Sequence, residues 1–128
     1  MGGFTQGAFS DLGTQNQTIA ASGNYVFGAV SNAGKTSTTV AVDVTYNASA
    51  TKGVNILIER ESTNTPGYES QASAWTVPVP FTANTTVTKT VTIDANLIGE
   101  CQIRVVNTDT AQSATAVNCR IAQSTYAA

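Results

Sequence analysis

Apolar and polar residues alternate along many short stretches of this chain, the signature of strands with one buried face. In the run 100–106, Cys101, Ile103 and Val105 alternate with Gln102 and Arg104. In the run 114–122, Val117, Cys119 and Ile121 alternate with Asn118 and Arg120. Folded about Thr110 as a hairpin, the two runs set Ile103 opposite Val117 and Cys101 opposite Cys119, with both arginines outside. A slip of one residue would invert every side chain, so this pattern predicts the hairpin as the anchor of the fold.

Other strands follow at even spacing. Residues 18–21 and 24–30 flank a bend at Ser22-Gly23. Val40, Val42, Val44 and Tyr46 alternate with Ala41, Asp43 and Thr45. Val54, Ile56 and Ile58 alternate with Asn55 and Glu59, but Leu57 interrupts the polar face and predicts cover on both sides. After an irregular stretch at 62–73 come Trp75, Val77, Val79 and Phe81, alternating with Thr76, Pro78 and Pro80. Pro78 and Pro80 lack ladder donors, which predicts an edge strand guarded against stray pairing. Val87, Val91 and Ile93 then alternate with Thr88, Thr90 and Thr92.

About seven or eight strands and no convincing helix predict an all-β fold, an antiparallel two-sheet sandwich of immunoglobulin-like or jelly-roll type. Strand order is invisible in a period-2 pattern. Residues 1–17 show no alternation and carry four glycines, and read as an extended N-terminal arm; 18–123 form the sandwich and 124–128 a tail. Phe4, Phe9 and Leu12 are unusual in a solvated tail. Extended, the arm reaches ~55 Å, far enough to lie on a neighbouring subunit; the other reading folds it back over its own sheet.

At 128 residues the chain is one domain. Its charged fraction of 11% is low, so Thr, Asn, Ser and Gln must cover the surface, as in proteins packed against neighbours or living outside a cell. A net charge of −2 with six scattered basic residues argues against nucleic acid as a partner. No run is long and apolar enough for a membrane span. The N-terminus lacks the basic and apolar regions of a signal peptide, which predicts synthesis in a cytoplasm or a leader already removed.

No histidine is present, which removes Ser-His-Asp and Cys-His catalysis and His-ligated metals. No phosphate-loop, dinucleotide or EF-hand motif occurs, and the chain is expected to be no enzyme and to use no cofactor. Glu59, Glu61 and Glu69 are the one acidic trio worth a calcium or acid/base reading, against three solvated acids beside a turn. Trp75, Tyr68, Tyr46 and Tyr25 are the aromatic candidates for a carbohydrate platform; Trp75 is read first as core, in register with Val77. Cys101 and Cys119, if opposed, can close a disulfide; a reducing cytosol favours two buried thiols.

The run 99–107 with its returning strand resembles the last two strands of immunoglobulin-like domains, although Gly99 stands where their tyrosine belongs. The chain as a whole resembles the small auxiliary proteins of bacteriophage particles, in its shortness, low charge, richness in Thr, Ala, Gly and Asn, and glycine-rich N-terminal segment. That resemblance implies a virion subunit, a decoration or cement protein or a tail component, made in the host cytoplasm. It implies homo-oligomers bound to a major capsid or tail protein through Phe4, Phe9, Leu12 and exposed sheet edges. The alternative is an immunoglobulin-like or carbohydrate-binding module of a bacterial surface protein.

Overall fold

The alternating runs meet as two antiparallel sheets in a computed structural model that describes residues 3–61 and 67–127, with backbone alone at 3–6, 96–97 and 126–127. The elements are β1 (Gly3–Gln6), β2 (Ser10–Asp11), β3 (Gln17–Ile19), β4 (Asn24–Val30), β5 (Ser37–Tyr46), β6 (Val54–Arg60), β7 (Trp75–Pro78), β8 (Thr86–Asp94), the single turn α1 (Ala95–Ile98), β9 (Cys101–Asn107) and β10 (Ala114–Ala127). One sheet runs β1-β10-β5-β8, with β2 and β3 also on β10; the other runs β4-β9-β6-β7. From β3 onward consecutive strands tend to change sheet, giving β3-β10-β5-β8 over β4-β9-β6-β7. That is the eight-stranded jelly roll.

This order corrects the predicted hairpin. β9 pairs with β4 and β6, whereas β10 pairs with β5 and the first three strands, so the two runs lie in opposite sheets. The likeness to paired terminal immunoglobulin strands falls with it. Alternation specifies which face of a strand is buried and says nothing about its neighbour. Cys101, Ile103 and Val105 on one sheet and Val117 and Cys119 on the other are all buried in one core.

β5 shows why the sequence folds this way. Its ten residues alternate half-buried and buried, with Thr38, Val40, Val42, Val44 and Tyr46 inward. β-branched side chains suit a pleated surface, and each buried Val or Ile stabilises by roughly 1.5–3 kcal/mol. Leu57 is buried on the other face of β6, so that strand is covered on both sides.

The N-terminal segment pairs with its own chain. Gly3–Gln6 run antiparallel to Ser124–Ala127, Ser10 and Asp11 pair with Ile121 and Arg120, and β3 continues along the same edge. Residues 3–6 and 124–127, from the segments read as arm and tail, therefore pair with each other along the sheet. Gly13 enables the approach: its φ is +68°, and a Cβ there would sit 2.0 Å from the carbonyl oxygen of Phe27. A bulge at Ala116 shifts the register of β10. Asn118 bridges it, accepting from the N–H of Asn16 at 2.7 Å and donating to the Ala116 carbonyl at 3.2 Å.

The link from β9 to β10 crosses between the sheets and is tied down by buried polar side chains. Asn107 donates to the carbonyls of Ile19, Ala20 and Gln112. One Asp109 oxygen accepts from the N–H of Thr51 (2.8 Å) and Lys52 (3.2 Å), the other from Ala111 (2.8 Å) and Gln112 (2.9 Å). Three connections at this end of the sandwich, before β4, after β5 and after β9, thus meet on two side chains.

Candidate functional site

Among the described residues three large apolar side chains stand on the surface: Phe9 is 50% exposed, Trp75 47% and Phe81 39%. Phe9 lies in the connection between β1 and β2. Trp75 opens β7, the outer strand of its sheet, and pairs with Ile58. Its preferred reading as core is thereby corrected: its alternation is right, but it lies at the rim of the sheet and half of it stays in water. Phe81 follows β7 and sets its ring edge-on to Tyr46, with centroids 5.0 Å apart.

The backbone of β7 decides what can bind there. Val79 N–H donates to the Val54 carbonyl at 3.0 Å, so Trp75, Val77 and Val79 turn their peptide groups toward β6. Thr76 and Pro78 turn theirs outward, with Pro80 beyond. The proline nitrogens cost the internal ladder nothing and deny donors to an incoming strand. This edge accepts side-chain contacts and resists strand addition.

At the far end of β6 and β7 lies an open cleft of about 570 Å³, lined by Arg60, Glu61, Tyr68, Glu69, Ser73 and Ile98 among others. Arg60 grips Glu69 in a fork, with Nε and a terminal nitrogen each 3.2 Å from a carboxylate oxygen, and its own N–H adds a bond at 2.9 Å. These bonds hold the Glu69 carboxyl below the ordinary range. The acidic trio does not converge. Glu59 is fully buried, accepting from Gln102 at 2.7 Å and from Arg104 at 2.9 Å, while Arg104 reaches on to Asn24 at 2.6 Å. Both the calcium reading and the reading of three solvated acids are corrected, and no metal-holding group of acids or thiols occurs among the described residues.

Of the assembly residues predicted from sequence, Phe9 is exposed, whereas Leu12 belongs to the core. Leu12 is anchored by its N–H to the Cys119 carbonyl at 2.9 Å, which removes it from any free arm. Phe4 pairs through its backbone with Tyr126, and its side chain lies outside the described residues. Tyr46 is buried, donating to the Val79 carbonyl and accepting from Val54 N–H, and Tyr25 packs edge-on to Phe27. Burial removes Tyr46 from any sugar platform. Tyr68 remains at the cleft; its neighbouring turn at Asn64–Gly67 lies mostly outside the described residues.

Cys101 and Cys119 are free, buried thiols, and no disulfide joins them. The opposed register that would have bonded them does not form. Burial is the main cause that pushes their thiols up, Cys101 to about 11 and Cys119 to about 12. Because the thiolate is the reactive form, a thiol reagent at pH 8 is expected to label native protein negligibly and both residues once guanidinium unfolds it. Stoichiometric labelling of the native chain would refute this burial.

No family model matches the chain. No curated protein matches it either. Among solved structures it is similar to VP2 of infectious bursal disease virus in a subviral particle, at 8% identity over 95% of this chain and 33% of that one, with a TM-score of 0.54. The PRD1 vertex protein P5 aligns at 13% identity over 95% of each chain, with a TM-score of 0.49. A carbohydrate-binding module of Cellvibrio mixtus lichenase 5A aligns at 17% identity over 89% of this chain and 95% of that one, with a TM-score of 0.45. The chain spans about a third of VP2, and the likeness is one of fold. The resemblance to viral structural proteins is loose and rests on no motif. Among the described residues no helix is long and apolar enough to cross a membrane.

Proposed function

We propose that the protein is a non-enzymatic structural subunit of a virion, a decoration or cement protein or a tail component of a bacterial virus. The observation that carries this reading is the set of exposed apolar side chains, Phe9, Trp75 and Phe81, on a sandwich with few charges. Large apolar groups held in water by an ordered fold suit burial against other protein. Jelly rolls serve as capsid domains and as lectins, so the strand order agrees with such a role without specifying it. The mechanism is many modest contacts multiplied by symmetry: Phe9 and the N-terminal strand on one side, Trp75 on another, each meeting another copy or a major capsid or tail protein. A carbohydrate-binding module is the second reading, favoured by Tyr68 beside the Arg60–Glu69 pair in the cleft.

Light scattering of the purified protein over a range of concentrations tests the first reading, with a defined species larger than the 13.2 kDa chain expected. Phe9→Ser and Trp75→Ser should weaken assembly while leaving the melting temperature nearly unchanged, since surface substitutions usually stay within ~0.5 kcal/mol. A strict monomer that binds no viral shell but retains an oligosaccharide would favour the second.

A further inference from the structure

We propose that β8 is the edge by which this chain pairs with a second copy of itself. Two β8 strands run antiparallel about a two-fold axis at Thr90, joining two β10-containing sheets into one. The inference rests on the assembly reading above and names one of its contacts.

β8 pairs with β5 over its whole length without a register shift, unlike the pairings of β10 and β4. Tyr46 N–H donates to the Thr85 carbonyl and Ala95 N–H to the Thr36 carbonyl. By alternation Val87, Lys89, Val91 and Ile93 then spend their peptide groups on β5. Thr86, Thr88, Thr90 and Thr92 aim theirs away from the sheet, and β8 is an outer strand. Each of these four outward-facing peptides carries a β-branched side chain of high strand propensity, in a strand without proline.

The other edges are obstructed. Pro78 and Pro80 block β7, a shift between Val26 and Gly28 breaks β4, and the far side of β10 is already covered by pieces of four, two and three residues. Natural sandwiches protect their edges in such ways, and among the described strands only β8 presents a long, regular and proline-free one.

The same strand selects a second copy of itself as occupant. With the axis at Thr90, Thr88 faces the partner copy's Thr92 and Thr90 faces its counterpart, and each pair exchanges two backbone bonds. Threonine pairs across strands are already made on the other side, where Thr92 and Thr39 hydroxyls lie 3.0 Å apart and Thr86 and Thr45 hydroxyls 2.8 Å apart. Lys89 fixes the register. An axis at Thr90 sets it opposite Val91, whereas an axis at Lys89 would oppose two lysines directly, which destabilises. An axis at Val91 shortens the overlap.

Thr90→Cys tests the register. In a hydrogen-bonded antiparallel pair the Cα atoms stand about 5.5 Å apart, within the span of a disulfide, and the native thiols are buried and do not compete. Mild oxidation should link Thr90→Cys chains into dimers, Thr88→Cys alone should not link, and Thr88→Cys with Thr92→Cys should. Thr90→Pro removes one outward N–H, as Pro78 does on β7, and should shrink the self-associated species by loss of the β8 pair with a nearly unchanged melting temperature. Absence of the Thr90→Cys link at concentrations where the protein self-associates overturns the β8 contact, as does self-association left undiminished by Thr90→Pro. Larger particles without that link would leave the virion reading standing; a linked dimer that neither grows nor binds a shell would leave only the β8 contact.

Discussion

Arg104→Met will destabilise this protein more than any substitution of an exposed charge. Its Nε lies 2.9 Å from a Glu59 carboxylate whose side chain is fully buried, while Arg104 itself is 20% exposed. Removing the arginine leaves that carboxylate inside the protein with the Gln102 amide as its remaining side-chain partner. Breaking one half of a buried pair costs about 3–5 kcal/mol, which for a domain of this size lowers the melting temperature by roughly 10–15 °C. The double variant Glu59→Met with Arg104→Met should recover most of the loss, because no unpaired charge remains. A loss below ~1 kcal/mol for Arg104→Met, measured by denaturant unfolding, would reduce the pair to an ordinary surface contact.

Asp109→Ala should be the most damaging change in any loop. Four backbone N–H groups converge on its carboxylate, and the substitution leaves them without their acceptor where three connections meet. These bonds hold the Asp109 carboxyl far below the ordinary range. A carboxyl with a lowered folded pKa stabilises fully above its unfolded value, about 3.9, and that contribution fades as pH falls below it. Wild-type stability should therefore decline below about pH 4, and Asp109→Asn should be less stable at pH 7 with a flatter decline on the acid side. Equal slopes for the two proteins in pH-dependent unfolding would remove Asp109 from the acid response.

Much of the core was legible because a period of two names the buried face directly. Val40, Val42, Val44, Ile56, Ile58, Ile103, Val105 and Val117 all lie where alternation puts them. Strand partners were not legible, and the expected pairing of 100–106 with 114–122 failed for that reason. Leu12 escaped because strands of two and three residues are too short to show a period. Glu59 occupies an outward position of β6, where alternation predicts exposure, and its bonds to Arg104 and Gln102 could not be read from the pattern. Asp109 carried a weak signal, since the polar sequence Asn107-Thr108-Asp109 between two apolar runs suits side-chain-to-backbone bonding. At the surface, Phe9 could be singled out by its setting among glycines and polar residues. Trp75 could not, because a rim position and a central one share the same alternation.

The place of β10 also orders events in time. It follows the other described strands in the chain, yet β1, β2, β3 and β5 all take it as a ladder partner. β1, β2 and β3 have no other ladder partner and must wait until β10 has been made, and long-range pairings of this kind form slowly. A chain cut short before residue 114 would keep β5 and β8 as a pair and leave β1, β2 and β3 with nothing to lie against.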